Sequence, residues 1–227
     1  PVVVLKGGRT SAGAKAASSH TGALAGNDKI YEDVFQQSGV IRARSLRQLL
    51  EFARGIPVLP TPKGENVLII TGAGGSGVLL SDSVVDNGLS LMAMPDDLDK
   101  AFRKFIPPFG ASGNPVDITG GEPPITYVNT VKLGLTDDRI HSLILGYWHT
   151  IVTPPMVFAK NMVEIKNEMK AKGIEKPMVA SLAGDVEVEE AAEYLYQNGI
   201  PAYAYSTELP VELFGAKYKW ARGAGLL

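Results

Sequence analysis

The amino-acid sequence predicts an α/β protein built on a doubly wound parallel sheet, and three observations carry that reading. Residues 2–5, 66–71, 142–147 and 177–181 are apolar runs of strand length without in–out alternation, the pattern of strands covered on both faces. Helical periodicity fills the intervals between them, and regular strand–helix alternation is the mark of a parallel sheet. Pro57, Pro60 and Pro62 fall within six residues, so a boundary is expected near Pro60, dividing the chain into residues 1–60 and 61–227.

The elements follow in order. Val2–Leu5 reads as a buried parallel strand, which needs neighbours. Residues 11–55 offer mostly helix and loop, with one short strand near Val40-Ile41. The chain is therefore expected to start inside a domain whose earlier strands it does not contain. Ser18–Gly26 reads as a small-residue loop around His20. Ile30, Val34 and Phe35 give a helical face that Gly39 terminates. A second helix starts at the cap Ser45 and aligns Leu46, Leu49, Leu50 and Ala53. Residues 55–64 read as a linker.

Beyond it come a strand over 66–71, a glycine turn, a helix over 76–86, a strand over 89–92 and a helix over 96–105. Residues 115–118 form a loop or short strand, 124–133 a helix and 142–147 a central strand. In the helix after Pro155, the spacing of Phe158, Met162, Ile165 and Met169 assigns them to the core. A strand over 177–181 precedes a helix capped by Asp185, with Glu187, Glu189 and Glu190 favourably placed in its first turns. Residues 199–203 lead to a last strand, and a last helix covers 208–221. Tyr194, Tyr196, Tyr203, Tyr205, Tyr218 and Trp220 are expected to pack the C-terminal helices or a partner domain.

Composition narrows the function. The net charge of −2 over 227 residues offers no basic stripe, so neither a nucleic-acid surface nor a polybasic membrane contact is expected. The absence of cysteine removes disulfides, thiolate metal sites and a cysteine nucleophile, and fits a reducing cytoplasm. No apolar run approaches the roughly 18 residues of a membrane span. No spacing of histidine and carboxylate marks a metal site, and His141 and His149 read as loop or strand-end residues.

Two glycine-rich segments and one histidine carry the chemistry. Gly72, Gly74 and Gly77 match G-x-G-x-x-G between a strand and a helix, and Asp96 lies about twenty residues on, as a Rossmann-type dinucleotide-binding module would have it. Asp96 follows Pro95, however, and looks like a helix start. The physics of such a turn is broader: unpaired amides at a helix N-terminus receive any phosphoryl group. Residues 110–121 form a second glycine-rich loop, where Asn114 and Asp117 either shape a crevice or cap turns. His20, among Ser19, Thr21 and Gly22, is placed to act as a nucleophile carrying a transferable group.

These segments resemble the NDP-forming acyl-CoA synthetases, the group with ADP-forming acetyl-CoA synthetase, and more distantly succinyl-CoA synthetase. Lys6-Gly7-Gly8-Arg9 followed by residues 16–26 resembles the phosphohistidine segment, and 72–77 with 113–117 the signatures of the next domain. The resemblance implies a flavodoxin-like, succinyl-CoA synthetase-like domain over 61–227, preceded by the C-terminal part of a second one. It implies phosphorylation of His20, with Gly74, Gly75, Ser76 and Gly77 steadying the phosphoryl group and Ser19, Thr21 and Gly22 adding donors. CoA, ADP or ATP, and Mg²⁺ would be bound mainly by a CoA-binding domain and an ATP-grasp domain or subunit outside these residues, in an oligomer when complete. A regulatory domain keeping the fold without chemistry is the remaining alternative.

Overall fold

The computed structural model describes residues 1–22 and 26–227, with the side chain of Thr21 outside the described set. Strands β1 (Val3–Leu5) and β2 (Ile41–Ala43) pair in parallel, Val3 opposite Ile41 and Leu5 opposite Ala43. β2 is the short strand expected near residue 40. β1 is half-buried to exposed rather than covered on both faces, a correction to the sequence reading.

Helix α1 (Ser11–Thr21) replaces the expected loop around His20. Thr10 caps it by accepting from the Gly13 N–H at 3.1 Å. Alanines 12, 14, 16 and 17 then favour the helix over any other state. Gly22, at φ 69°, ends it and returns its N–H to Ser18 O at 2.9 Å. Small residues that read as loop are here the best helix formers. Helix α2 (Asp28–Gln37) closes as expected, with Gly39 at φ 67° and the Val40 N–H on Phe35 O. Its apolar face is not buried: Ile30 is 62% and Val34 51% exposed.

Helix α3 (Leu46–Val58) starts at the expected cap, Ser45, which accepts from the Gln48 N–H at 3.1 Å. It turns Phe52, Gly55 and Ile56 inward and leaves Leu46 and Leu50 exposed, so the expected stripe is the wrong one. It also runs through Pro57, converting the first part of the expected linker into helix. Contact with helix α9 (Glu208–Gly223) decides both points. A Cβ on Gly55 would meet Leu213 Cδ2 at 2.5 Å, so glycine lets the two helices close in. The Lys217 ammonium donates to Ile56 O at 3.2 Å, occupying a carbonyl of the helix end.

The second region alternates β3 (Asn66–Thr71), α4 (Gly74–Asp86), β4 (Ser90–Leu91), α5 (Asp96–Phe102), β5 (Val116–Asp117), α6 (Pro124–Thr136), β6 (Ser142–Trp148), α7 (Pro155–Ala171), β7 (Met178–Ala183), α8 (Glu187–Gln197), β8 (Ala202–Ala204) and α9. The parallel sheet runs β4-β3-β6-β7-β8, and β5 also pairs with β3. β4 covers the amino end of that edge (Asn66 opposite Ser90) and β5 the carboxyl end (Thr71 opposite Asp117). Alternate residues of β3 enter different cores. Leu68 and Ile70 pack with α5, α6, α7 and α8, while Val67 and Ile69 pack with α3, α4 and α9. Helices thus cover both faces, as expected of a doubly wound sheet, and Phe158, Met162, Ile165 and Met169 are core residues. The second core also takes in Ile41, Phe52, Ile56 and Leu59, so the first 60 residues share it. Tyr196, Tyr203 and Tyr218 lie in it, whereas Tyr205 is exposed.

Candidate functional site

The connection after β3 leads to one side of the sheet and that after β5 to the other, which opens a crevice at the carboxyl ends of β3 and β6. The glycine turn lies there. Thr71 braces it: its hydroxyl accepts from the Ala73 N–H at 2.9 Å and donates to Ala73 O at 3.0 Å. The helix begins at Gly74, two residues earlier than expected, and its cap residue, Ala73, makes no side-chain cap hydrogen bond. Among the described residues, the amides of Gly74, Gly75 and Ser76 have no acceptor. Gly77 does not share that role, because its N–H donates to Ala73 O at 3.0 Å. Gly77 is buried, and its missing Cβ makes room for Thr71 Cγ2 and Pro115. Gly75 faces open space. Three acceptor-free amides at the positive end of a helix are the kind of group that can receive an anion.

Three loops wall this crevice. The Gly72 N–H donates to Gly146 O at 3.1 Å, and a Cβ on Gly120 would touch Gly72 O and Thr150 Cγ2. Asp117 stands at the mouth. One carboxylate oxygen accepts from the Thr119 N–H at 2.9 Å, and the other would lie 2.7 Å from a Cβ on Gly74. Asn114 is elsewhere. Its oxygen accepts from the Ile69 N–H at 3.0 Å, and its amide donates to Val67 O and Met92 O. It fills the gap between β4 and β5 along β3, completing a ladder rather than shaping a crevice. Asp96 opens α5 behind Pro95, as expected.

His20 is exposed in the last turn of α1. The donors expected beside it are engaged: the Ser19 hydroxyl donates to Ala16 O at 2.8 Å and the Gly22 N–H to Ser18 O. Thr21's side chain, and Ala23 to Ala25 of the motif, lie outside the described residues. Among the described residues, no hydrogen bond or ion pair joins 18–22 to 72–77. Lys6 secures the base of the excursion by donating to Gly26 O at 3.2 Å and pairing with Asp28 at 3.4 Å. Arg42 pairs with Asp28 and, at 2.6 Å, with Glu32. The Arg42 guanidinium beside it holds the Asp28 carboxyl below its ordinary pKa.

Residues 67–227 match the Ligase-CoA domain, and residues 1–56 the succinyl-CoA ligase like flavodoxin domain. The chain belongs to the Ligase-CoA domain family. It is 40% identical to the acetate–CoA ligase [ADP-forming] I subunit alpha of Pyrococcus furiosus, over 98% of this chain and 47% of that protein. It is 35% identical to the 4-hydroxybutyrate–CoA ligase [ADP-forming] of Nitrosopumilus maritimus, over 91% of this chain and 29% of that protein. A solved structure of Ca. Korarchaeum cryptofilum "dinucleotide forming Acetyl-coenzyme A synthetase 1", in complex with phosphate and ADP, superposes with a TM-score of 0.91 at 36% identity. The match covers 99% of this chain and 48% of that one. The chain thus spans about half the length of these two best-covered relatives, and less of the third.

Within this Ligase-CoA domain, several residues near the turn carry no sequence signal. The Tyr127 hydroxyl donates to Gly146 O at 3.0 Å and occupies the space a Cβ on Gly72 would need. Its ring meets Phe158 edge-on at 5.0 Å, and Phe158 stacks on Tyr147 at 4.5 Å, giving the turn a rigid floor. Burial pushes the Tyr127 phenol far above its usual pKa, so it stays a neutral donor. Thr119 takes φ 66°, rare outside glycine, and its hydroxyl oxygen is buried without a partner among the described residues. His149 meets Asp185 and Glu187 across 36 residues of sequence, a grouping that short-range spacing does not reveal. No described helix is long and apolar enough to cross a membrane.

Proposed function

We propose that this chain is the phosphoryl-relay portion of an NDP-forming acyl-CoA synthetase, which interconverts acyl-CoA, phosphate and ADP with acid, CoA and ATP. Family membership and the names of the relatives support the reaction class. The observation that carries the reading is the uncapped first turn of α4, with three acceptor-free amides at the switch point of the sheet. In the proposed relay, the His20 imidazole attacks the phosphorus of an acyl phosphate, and the carboxylate leaves with its electron pair. A terminal oxygen of ADP then attacks the phosphohistidine, and the imidazole leaves. Splitting one transfer into two in this way is the role of a covalent nucleophile.

The cradle would act on charge. A phosphorylated His20 carries a dianion, and the Gly74, Gly75 and Ser76 amides would receive its oxygens as preorganised donors. No hydrogen bond joins His20 to this turn among the described residues; in the proposed relay a phosphoryl group on the ring is what the Gly74, Gly75 and Ser76 amides would meet. CoA and nucleotide would be bound by further domains or subunits, with Mg²⁺ accompanying the nucleotide. The division into residues 1–60, bearing the nucleophile, and 61–227, bearing the cradle, belongs to the same proposal.

The test is labelling of the intact protein with ATP radioactive in its γ-phosphoryl group. Acid-labile, base-stable label that disappears in His20→Ala is the expected result. Label that survives that substitution, or that resists acid, overturns the assignment.

A further inference from the structure

We propose that His149 and Glu187 form a binding site for a divalent transition-metal ion of the zinc or cobalt kind, with Asp185 orienting the imidazole. His149 follows β6, while Asp185 and Glu187 bracket the start of α8, so the sheet brings them together at its carboxyl edge. Gly184 makes the approach possible, since a Cβ there would lie 2.5 Å from His149 Cβ. The proposal is independent of the relay through His20.

The two ring nitrogens have different neighbours. Nδ1 lies 3.0 Å from Asp185 Oδ1, a hydrogen-bond distance that places the proton on Nδ1. Asp185 is itself held, because its carboxylate accepts from the Glu187 N–H at 3.1 Å and its carbonyl accepts from the Tyr205 hydroxyl at 2.9 Å. With Nδ1 protonated, Nε2 keeps a free lone pair, and Glu187 Oε2 lies 3.8 Å from it. That gap is too long for a hydrogen bond. An ion bonded to both atoms at ~2.1 Å spans it at an angle of ~130°. One ligand atom from each of the three side chains falls within 4.8 Å of the others. A carboxylate that fixes the tautomer of a ligating histidine is the usual outer support of such ions. An imidazole ligand favours a transition-metal ion such as zinc or cobalt over calcium or magnesium. The ring is 21% exposed and both carboxylates 63%, so the histidine is anchored while water or an anionic ligand can fill the remaining positions.

The alternative is an ion pair that only steadies the start of α8. Titration of the intact protein with Co²⁺, followed by its visible absorption in a His20→Ala background, separates the two. The expected result is one saturable equivalent in the micromolar range, displaced by Zn²⁺, absent in His149→Ala and at least tenfold weaker in Glu187→Gln. Asp185→Asn keeps a side chain able to cap α8 yet should weaken the ion about 10- to 100-fold. Circular dichroism of each variant confirms that the fold persists. Absorption unchanged in His149→Ala, or no saturation at millimolar Co²⁺, overturns the proposal.

Discussion

The two regions of this molecule are held together by different forces. In α1 and α2 no described side chain is buried, and the segment is tied down by charge: Lys6 to Asp28 and Gly26 O, Arg42 to Asp28 and Glu32, Arg44 to Glu32. Around the sheet, two apolar cores sandwich β3, β6 and β7, and aromatic rings support the glycine turn. Lys6 and Arg42 are largely covered in these pairs, yet no buried apolar side chain backs α1 and α2, whereas close-packed cores deform little. Under the proposed function, the candidate nucleophile therefore sits on the lightly held region and the anion cradle on the rigid one. A relay needs that division: one part travels, and the other keeps its donors aimed.

The largest effect should come from setting the cradle against its own stability. Gly75→Asp places a carboxylate in open space at the α4 N-terminus, where it favours the helix dipole and relieves a helical glycine. The thermal midpoint should rise slightly, while phosphoryl transfer to His20 falls about 100-fold, the scale of losing a positioned donor. Transfer that survives intact would separate α4 from the chemistry and break the comparison at its functional end. Gly75→Ala, which adds bulk without charge, is the control and should retain most activity.

Next in size is the joint. Phe52→Ala empties a buried site shared by α3 and the second core and should cost about 3–5 kcal/mol. Its hydrogen-exchange signature should be local, with protection lost in α3, β1 and β2 while β6 and β7 keep theirs. Leu68→Ala, about 2–5 kcal/mol in the middle of β3, should instead lower protection throughout residues 66–221. Identical signatures from the two variants would mean that the chain opens as one unit.

Legibility in the sequence follows the same divide. The sheet could be read because its strands are covered on both faces and its turns use glycine where backbone must come close, at Gly72 under Tyr127 and at Gly77 beside Pro115. In the first region local pattern misled. Leu46 and Leu50 form the stronger apolar stripe of α3, yet Phe52 and Ile56 are buried, because α9 chooses the face through Gly55 and Lys217. The Ser18–Gly22 segment read as loop, since serine and glycine punctuate chains, but the alanines before it carry the helix through. Asn114 read as either a crevice residue or a turn cap because nothing local shows that β4 and β5 leave a gap in the ladder of β3. Residues whose role depends on partners 36 or more positions away, Asn114 and His149 among them, lie beyond motif reading.

A smaller effect concerns the state of α1 during the proposed relay. His20 lies in its last turn, where the helix presents negative potential from its free carbonyls. A dianionic phosphohistidine there is repelled, and modification at a helix C-terminus loosens the final turn. Phosphorylated protein should exchange the amides of residues 18–22 faster than the unmodified form, while the α4 amides exchange more slowly if they receive the phosphoryl oxygens. Unchanged exchange in both segments would show that the candidate nucleophile's region does not respond to its own charge.

The smallest effect distinguishes the regions by pH. His141 Nδ1 accepts the Asn66 N–H at 3.1 Å at the start of β3, and its ring packs against Gly64. Burial, with the nearby Lys176 charge adding to it, pushes the imidazolium pKa below its ordinary value. Between that ordinary value, about 6.5, and the lower folded one, the unfolded chain holds more protons than the native protein, so stability falls as pH drops through this window. Asp28 and Glu32 also have lowered pKa values, held down by Arg42. Their contribution is complete above the ordinary carboxylate range, about 4, and is lost only as pH falls below it. Acidification should thus weaken the sheet region first and the charge-tied region second. Urea midpoints at pH 7.5 and 5.0 check the first step: His141→Asn, whose Oδ1 takes the place of Nδ1 as acceptor, should flatten the slope. An unchanged slope in that variant would assign the loss of stability above pH 5 to groups other than this half-buried histidine at the edge of the sheet.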